Sequence, residues 1–264
     1  MDSLFFNDDH KMIKNMVREF AQSEVMPVAR ELDQTGEFPT SIVERMSELG
    51  LMGINIPKKY GGANLDMVSC VIAIMELARA DASVAITMAA HTSLGTLPLI
   101  LFGNKNQKEK YLPKIASGET ISAFGLTEPE AGSDAGAIKT TATKFGDKYI
   151  VNGGKIFITN AGKAGVLSFT ARVIEDEKDI GIGAFIIPTK TRGLVIGKRE
   201  KKMGWRASDT RQLYFKDMTI SSSTLLCPPE IGFKAFLKTL TPARISIGAL
   251  SVGTAIGAYE KALI

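Results

Sequence analysis

The sequence predicts an α+β fold: an N-terminal all-α domain, a small middle β-sandwich or barrel domain, and the start of a C-terminal helical-bundle domain that is incomplete at Ile264. Three observations predict it. Apolar residues recur at three-to-four spacing through the first third of the chain and again after Gly232. Between residues 119 and about 220 the texture changes to short β runs broken by turn signals. No helical period intervenes among those runs, which disfavours a βαβ sheet. The expected divisions are 1–118 (helical), 119–227 (β) and 228–264 (first helix of a third unit).

Met12, Ile13, Met16, Val17, Phe20, Val25 and Ala29 share one face of a first helix, with His10 on the surface of its first turn. After Pro39, Ser41-Ile-Val-Glu44 has capping-box spacing ahead of a second helix, which Gly50 stops. Pro57-Lys-Lys-Tyr-Gly-Gly62 is loop-like. Met67 to Arg79 reads as a helix, and Asn106 to Ile115 as a short amphipathic one. Between them, Ala82 to Leu101 carries no Asp, Glu, Lys or Arg; with His91, Pro98 and several hydroxyls it reads as a buried helix rather than a membrane span. The β runs are Ile121–Leu126, Ile138–Phe145, Tyr149–Val151, Ile156–Thr159, Val166–Val173, Ile182–Ile187 and Gln212–Phe215, with turns at Gly146-Asp147, Asn152-Gly-Gly154 and Thr191-Arg-Gly193. From Gly232, Phe233, Phe236, Leu237, Leu240, Arg244, Ile247 and Leu250 march at helical spacing to a chain end without a stop signal. We take that ending as a sign of truncation.

Composition narrows the function classes. The 264 residues are 45% hydrophobic and 23% charged, ordinary for a globular protein, and the net charge is +4. That excess does not suggest a nucleic-acid partner. The densest basic run, Lys198-Arg-Glu-Lys-Lys202, reads as a solvated strand and turn. Cys70 reads as core and Cys227 as loop, with neither zinc spacing nor a disulfide framework; a reducing compartment fits. Met1-Asp-Ser-Leu4 has no secretory character. Two histidines support neither a Ser-His-Asp triad nor a metal cluster.

The most informative segment is Gly125-Leu-Thr-Glu-Pro-Glu-Ala-Gly-Ser-Asp-Ala-Gly-Ala137, which leaves a strand for a turn rich in Gly, Ser and Asp. Backbone amides in such a turn, unhindered at Gly132, can line up toward an anion, with Thr127 and Ser133 adding hydroxyls. Equally, these are ordinary residues of a strand connection. Neither a Rossmann fingerprint nor a P-loop is present. The stretch resembles the first signature of the acyl-CoA dehydrogenase flavoproteins through Gly-Leu-Thr-Glu128, Ala-Gly-Ser-Asp134 and Gly136. Asn152-Gly-Gly-Lys-Ile-Phe-Ile-Thr-Asn160, Met203-Gly-Trp-Arg-Ala-Ser-Asp-Thr210, Pro57–Gly62 and Ala90-His-Thr-Ser-Leu94 are similar to further family signposts. The resemblance covers essentially the whole chain and is closest to the short-chain, butyryl-CoA branch.

The resemblance implies FAD as cofactor, contacted by the region Phe124 to Ser133. Leu126 and Thr127 would face the pyrimidine side of the isoalloxazine, Gly132 would lie in the same turn, and Ser133 would reach the pyrophosphate beside the bound thioester. Phe157, Ile158 and Thr159 would pack against the ring; family members often carry Trp where Phe157 stands. His91 would belong to the acyl pocket, or alternatively be a satisfied core histidine. Thr241 and Arg244 would contact the CoA portion, although short-chain relatives read Asp-x-Gly-Arg where this chain has Thr241-Pro-Ala-Arg244.

The implied reaction is α,β-dehydrogenation of a short- to medium-chain acyl-CoA to the trans-2-enoyl-CoA, a step of fatty-acid β-oxidation, with electrons passed to an electron-transferring flavoprotein. The family's glutamate base is expected beyond Ile264; its alternative position is Ala243 here, and Tyr259-Glu260 is followed by Lys261 rather than Gly and reads as surface. The chain alone is therefore expected to be inactive. A homo-oligomer, dimer or tetramer, is expected of the full-length protein, in a bacterial cytoplasm or, for a eukaryotic mature form, the mitochondrial matrix. Two other readings stay open: a flavin oxidase or monooxygenase on the same fold, and a non-catalytic short relative that binds acyl-CoA or a partner.

Overall fold

The structure, a computed structural model, describes residues 6–263. Among the described residues seven α-helices precede the first strand: α1 (Asp8–Phe20), α2 (Ala29–Thr35), α3 (Thr40–Glu48), α4 (Met67–Ala80), α5 (Ala82–Ala89), α6 (Leu97–Phe102) and α7 (Lys105–Ala116). Asn7 and His10 close a reciprocal capping box at the start of α1. His10 is not at the surface, as its first-turn position suggested. It is buried, and its Nε2 lies 2.9 Å from Asp66, the residue that caps α4. The capping-box spacing at Ser41 goes unused as well. The Pro39 carbonyl already accepts from the Val43 N–H, so the α3 ladder begins ahead of Ser41. Gly50 ends α3 at φ +74°, a left-handed position that glycine takes without a steric penalty.

The uncharged stretch is α5, a π-helical turn (Ala90–Gly95) and α6. It is long and apolar enough to cross a membrane, but 78% of its most apolar window is buried inside the protein. One core, built from α1, α3, α4, α5 and the loop Leu51–Ile54, wraps around it.

β1 (Ile121–Gly125) leads into β2 (Thr141–Phe145), β3 (Lys148–Thr159), β4 (Ala164–Glu175), β5 (Lys178–Pro188), β6 (Leu194–Arg199), β7 (Thr210–Ser221) and β8 (Leu225–Cys227). They form one sheet in the order β6-β7-β3-β2-β4-β5-β8, with β1 parallel to the start of β4. Phe169 on β4 stacks on Phe215 of β7 with centroids 4.7 Å apart, although β2 and β3 separate those strands in the sheet order. Strands are spaced nearly 5 Å apart, so this contact requires the sheet to curl into a partial barrel around its own aromatic core. Phe185 of β5 also stacks on Phe169, with centroids 5.4 Å apart.

Two expectations are corrected within the sheet. Tyr149–Val151 and Ile156–Thr159 are one strand. Asn152-Gly-Gly154 is strand rather than turn and lies opposite a bulge on β7: the pairing passes from Val151↔Met218 to Gly153↔Phe215, two steps on β3 against three on β7, with Asp217 at φ +45°. Cys227 is a buried residue of β8, not a loop residue.

α8 (Pro229–Ala262) closes the described chain. Its buried stripe is not the large apolar march the sequence suggested. It is mostly small: Gly232, Ala235, Ala243, Ser246, Ala249, Gly253 and Gly257, with Phe236 and Leu250 as the bulky exceptions, while Ile247 is exposed. The reason is close approach. A Cβ at Gly253 would sit 2.8 Å from Ala78 Cβ and collide with the Met75 carbonyl, and one at Gly257 would collide with Arg79 backbone. α8 therefore lies almost backbone-to-backbone on α4. The contact is finished by an ion-pair chain in which Arg18 and Arg79 both hold the buried Glu76, and Arg79 also holds Glu260.

Candidate functional site

Four elements meet at one cavity of about 150 Å³. The end of β1 and the two residues after it supply Phe124, Leu126 and Thr127. The end of β3 supplies Phe157, Ile158 and Thr159. The π-helical turn supplies Ala90 and Leu94, and α8 supplies Leu240. The volume is below the ~300 Å³ of an ordinary small-ligand pocket. A ligand of cofactor size seated here would be only partly enclosed by this chain. Six of the eight cofactor candidates line the cavity; Gly132 and Ser133 do not, lying exposed on the far side of the Glu128–Ala131 bridge.

The presentation of Phe157 has a local cause. Along β3, Lys155 faces Leu213 and Ile158 faces Arg211, so three steps on β3 match two on β7. The extra residue makes a bulge, which re-aims side chains. In an unbroken strand Lys155 and Phe157 would point to the same face. Here Lys155 is fully buried while Phe157 is 62% exposed at φ +58°. That backbone position costs a bulky residue about 1–3 kcal/mol and is held only by surrounding structure. The support is visible: Ile156 N–H donates to the Thr127 carbonyl at 2.9 Å, and Asn160 N–H to the Asp209 carbonyl at 2.7 Å.

Beneath the cavity lies a buried ion pair that sequence reading missed. Lys155 Nζ is 2.6 Å from Glu128 Oε1, and it also donates to the Leu126 carbonyl (3.2 Å) and Thr170 Oγ1 (3.3 Å). Glu128 Oε2 in turn accepts from the Lys139 N–H (2.6 Å) and the Thr140 N–H (3.2 Å). Burial pulls the Lys155 ammonium down to about 8, with the Glu128 carboxylate opposing. Burial would push the Glu128 carboxyl up, but the Lys155 charge and hydrogen bonds hold it below the usual range. The available signal was a lysine two residues before an aromatic in a glycine-rich strand, which alternation alone assigns to solvent.

The substrate candidates fare differently. His91 does not line the cavity; its neighbours Ala90 and Leu94 do. The ring is fully buried. Nδ1 accepts from the Ser122 N–H at 3.0 Å, so Nε2 carries the proton and donates to the Met52 carbonyl at 3.0 Å. Burial depresses its pKa to about 4, leaving it neutral. It cross-links the π-helical turn, β1 and the Met52 loop, in keeping with the second of the two readings the sequence left open. Thr241 and Arg244 sit exposed on α8, one residue and one turn past the cavity-lining Leu240. In the basic run, Lys202 turns to the Ser208 carbonyl (2.7 Å) and Arg199 to the Gly36 carbonyl, so two of its cations are committed to backbone. Among the described residues no Asp, Glu or His lines the cavity.

Chemically, the cavity offers apolar walls, two hydroxyls (Thr127 and Thr159) and an exposed aromatic face. Such a set suits a flat heteroaromatic with acceptor atoms along one edge.

Comparison with known proteins agrees with this architecture. Residues 7–119 match the family model "Acyl-CoA dehydrogenase, N-terminal domain" and residues 123–218 match "Acyl-CoA dehydrogenase, middle domain". An acyl-CoA dehydrogenase of Bacillus subtilis is 43% identical over 252 residues, 96% of this chain and 66% of that relative. The structure of butyryl-CoA dehydrogenase from Megasphaera elsdenii superposes with a TM-score of 0.94 at 36% identity, covering 99% of this chain and 69% of the other. That of a Bacillus anthracis acyl-CoA dehydrogenase complexed with FAD superposes at 0.88 and 38% identity, covering 94% and 42%. The chain thus spans about two thirds of the length of the Bacillus subtilis relative. With two family models matched in order over most of its residues, this chain belongs to the acyl-CoA dehydrogenase family.

Proposed function

We propose that this chain supplies the flavin-ring and thioester-facing portion of an FAD-dependent acyl-CoA dehydrogenase acting on short- to medium-chain substrates. The observation that carries the reading is the convergence of Leu126 and Thr127 with Phe157, Ile158 and Thr159 on one cavity, Phe157 being turned outward by a bulge. The donor set fits an isoalloxazine. Thr127 and Thr159 offer hydroxyls to polar edge atoms, and Leu126, Ile158 and the Phe157 ring offer apolar surface to the ring plane. When bound, FAD supplies the acceptor for the hydride leaving the β carbon of the thioester. The chain's own residues bind, orient and exclude water. Leu94, Phe124 and Leu240 wall the cavity opposite the ring strand, and Phe124 is held there by stacking on Phe236 at 3.9 Å. The α proton needs a general base. With no carboxylate or imidazole at the cavity, that base comes from outside the lining residues. Arg244 and Thr241, exposed beside the cavity wall, are the proposed CoA contacts. Electrons leave to an electron-transferring flavoprotein.

The test is titration of the folded 264-residue chain with FAD, followed by flavin fluorescence and the visible spectrum. Weak but saturable quenching is expected, because this chain encloses the ring only in part. Butyryl-CoA added to the loaded chain is expected to perturb the flavin bands without bleaching them, since the cavity holds no base. A folded chain that leaves FAD fluorescence unchanged at saturating protein would sink the reading.

A further inference from the structure

The ion pair under the cavity does more than fill the core. Lys155 Nζ takes the Leu126 carbonyl from the buried side. No peptide of the described chain is cis. In a trans peptide the C=O and the following N–H point in opposite directions. Holding the Leu126 carbonyl inward therefore turns the Thr127 N–H outward, on the side where Leu126 and Thr127 line the cavity. The next carbonyl, that of Thr127, is committed to Ile156 N–H at 2.9 Å, and Glu128 N–H to the Ala131 carbonyl at 3.0 Å. Each peptide around Thr127 is thus held from behind, one of them by a side chain alone.

Glu128 makes this arrangement possible. A buried ammonium without a partner would sooner lose its proton than hold a carbonyl. The Glu128 carboxylate keeps it charged and is itself anchored by the Lys139 and Thr140 N–H groups at the entry to β2. Lys155 also sits two residues before Phe157, inside the interval that contains the bulge. One side chain therefore couples the peptide after β1 to the strand that presents the ring-facing aromatic.

We propose that Lys155, charge-balanced by Glu128, is a positioning residue for flavin binding: it fixes the Leu126–Thr127 peptide so that the Thr127 N–H is presented to the cofactor's polar edge. This rests on the flavin reading above. A donor aimed at that edge stabilises the more electron-rich reduced flavin more than the oxidised one.

The variant Lys155→Met/Glu128→Gln removes both charges with the loss of a single side-chain heavy atom, so no buried charge is left alone; Glu128→Gln by itself retains the lysine. Two readouts are compared with the wild-type chain. The first needs no flavin: amide hydrogen exchange at Ile156, whose N–H reports whether the Thr127 carbonyl stays in place. Exchange at least tenfold faster is expected in the double variant, with far-UV circular dichroism unchanged. The second is the flavin itself: FAD affinity at least tenfold weaker, and a reduction potential about 30 mV lower, which is a tenfold loss of preference for the reduced form. Glu128→Gln is expected to show a smaller effect on both. Unchanged Ile156 exchange in a folded double variant overturns the proposal, whatever the flavin does. So does faster exchange with wild-type affinity and potential. A wild-type chain that refuses FAD overturns the flavin reading separately, and the exchange comparison then still decides whether Lys155 holds the peptide.

Discussion

Alanine at Gly253 and alanine at Gly248 are expected to move stability in opposite directions, although both lie in α8. Gly248 faces open space, with nothing within 4 Å of where a Cβ would be. There alanine should return the helix-propensity difference of about 1 kcal/mol. At Gly253 the same methyl would lie 2.8 Å from Ala78 Cβ and 3.0 Å from the Met75 carbonyl carbon, and would overlap the carbonyl oxygen. Overpacking costs roughly 1–3 kcal/mol. Because the obstacle is backbone of α4 rather than a flexible side chain, the upper end applies. Offsetting ~3 kcal/mol by the ~1 kcal/mol of propensity leaves a net loss of about 2 kcal/mol. For a chain of this size that corresponds to a midpoint lower by roughly 4–8 °C, against a rise of roughly 2–4 °C for Gly248→Ala. Thermal melting followed by far-UV circular dichroism reads both. A Gly253→Ala variant melting at or above wild type would refute the backbone-to-backbone docking of α8 on α4.

Three further expectations are open to measurement. Phe157→Ala should leave the melting midpoint within about 2 °C because the ring is 62% exposed, yet should weaken FAD binding roughly threefold to tenfold through lost stacking of ~0.5–1.5 kcal/mol; unchanged affinity in a titration would contradict its proposed role. Stability should fall between pH 6.5 and about 4 in a way that depends on His91. Its folded pKa is depressed to about 4 from 6.5, so in that window the unfolded chain binds a proton the fold refuses. The slope is up to about 1.4 kcal/mol per pH unit, and His91→Gln, itself less stable at neutral pH by about 1–3 kcal/mol, should show a flatter urea-midpoint profile than wild type. Phe169→Ala, which removes the ring shared by Phe185 and Phe215, should cost about 3–5 kcal/mol; a loss under 1 kcal/mol by urea denaturation would argue against the curled sheet.

Much of the architecture was legible from period alone. The switch from three-to-four spacing to short β runs near residue 119 falls between α7 and β1, and the return of helical period near Gly232 falls in the first turns of α8. The cavity-lining residues were singled out through family likeness: Leu126 and Thr127 are some thirty positions from Phe157, Ile158 and Thr159, yet all five adjoin one cavity. What escaped has identifiable causes. His10 has the polarity of a surface residue, and only a partner 56 positions away, Asp66, draws it inward. Lys155 is hidden by its charge for the same reason, its counter-ion being 27 residues distant. On α8 the bulky residues suggested the buried face, whereas packing on α4 selects for absence of side chain at Gly253 and Gly257. Hydrophobicity reports transfer from water; it is silent about how near two backbones must come.

The direction of Phe157 is decided by counting rather than by chemistry. Three steps of β3 are spanned by two of β7, and this arithmetic, not the benzyl group, sends the side chain outward. Any aromatic placed at 157 inherits the same aim, so the position can exchange one ring for another without disturbing its neighbours. A one-residue deletion between Lys155 and Ile158 would be harsher than every substitution there. It would restore simple alternation and turn the strand's remaining residue to the wrong side.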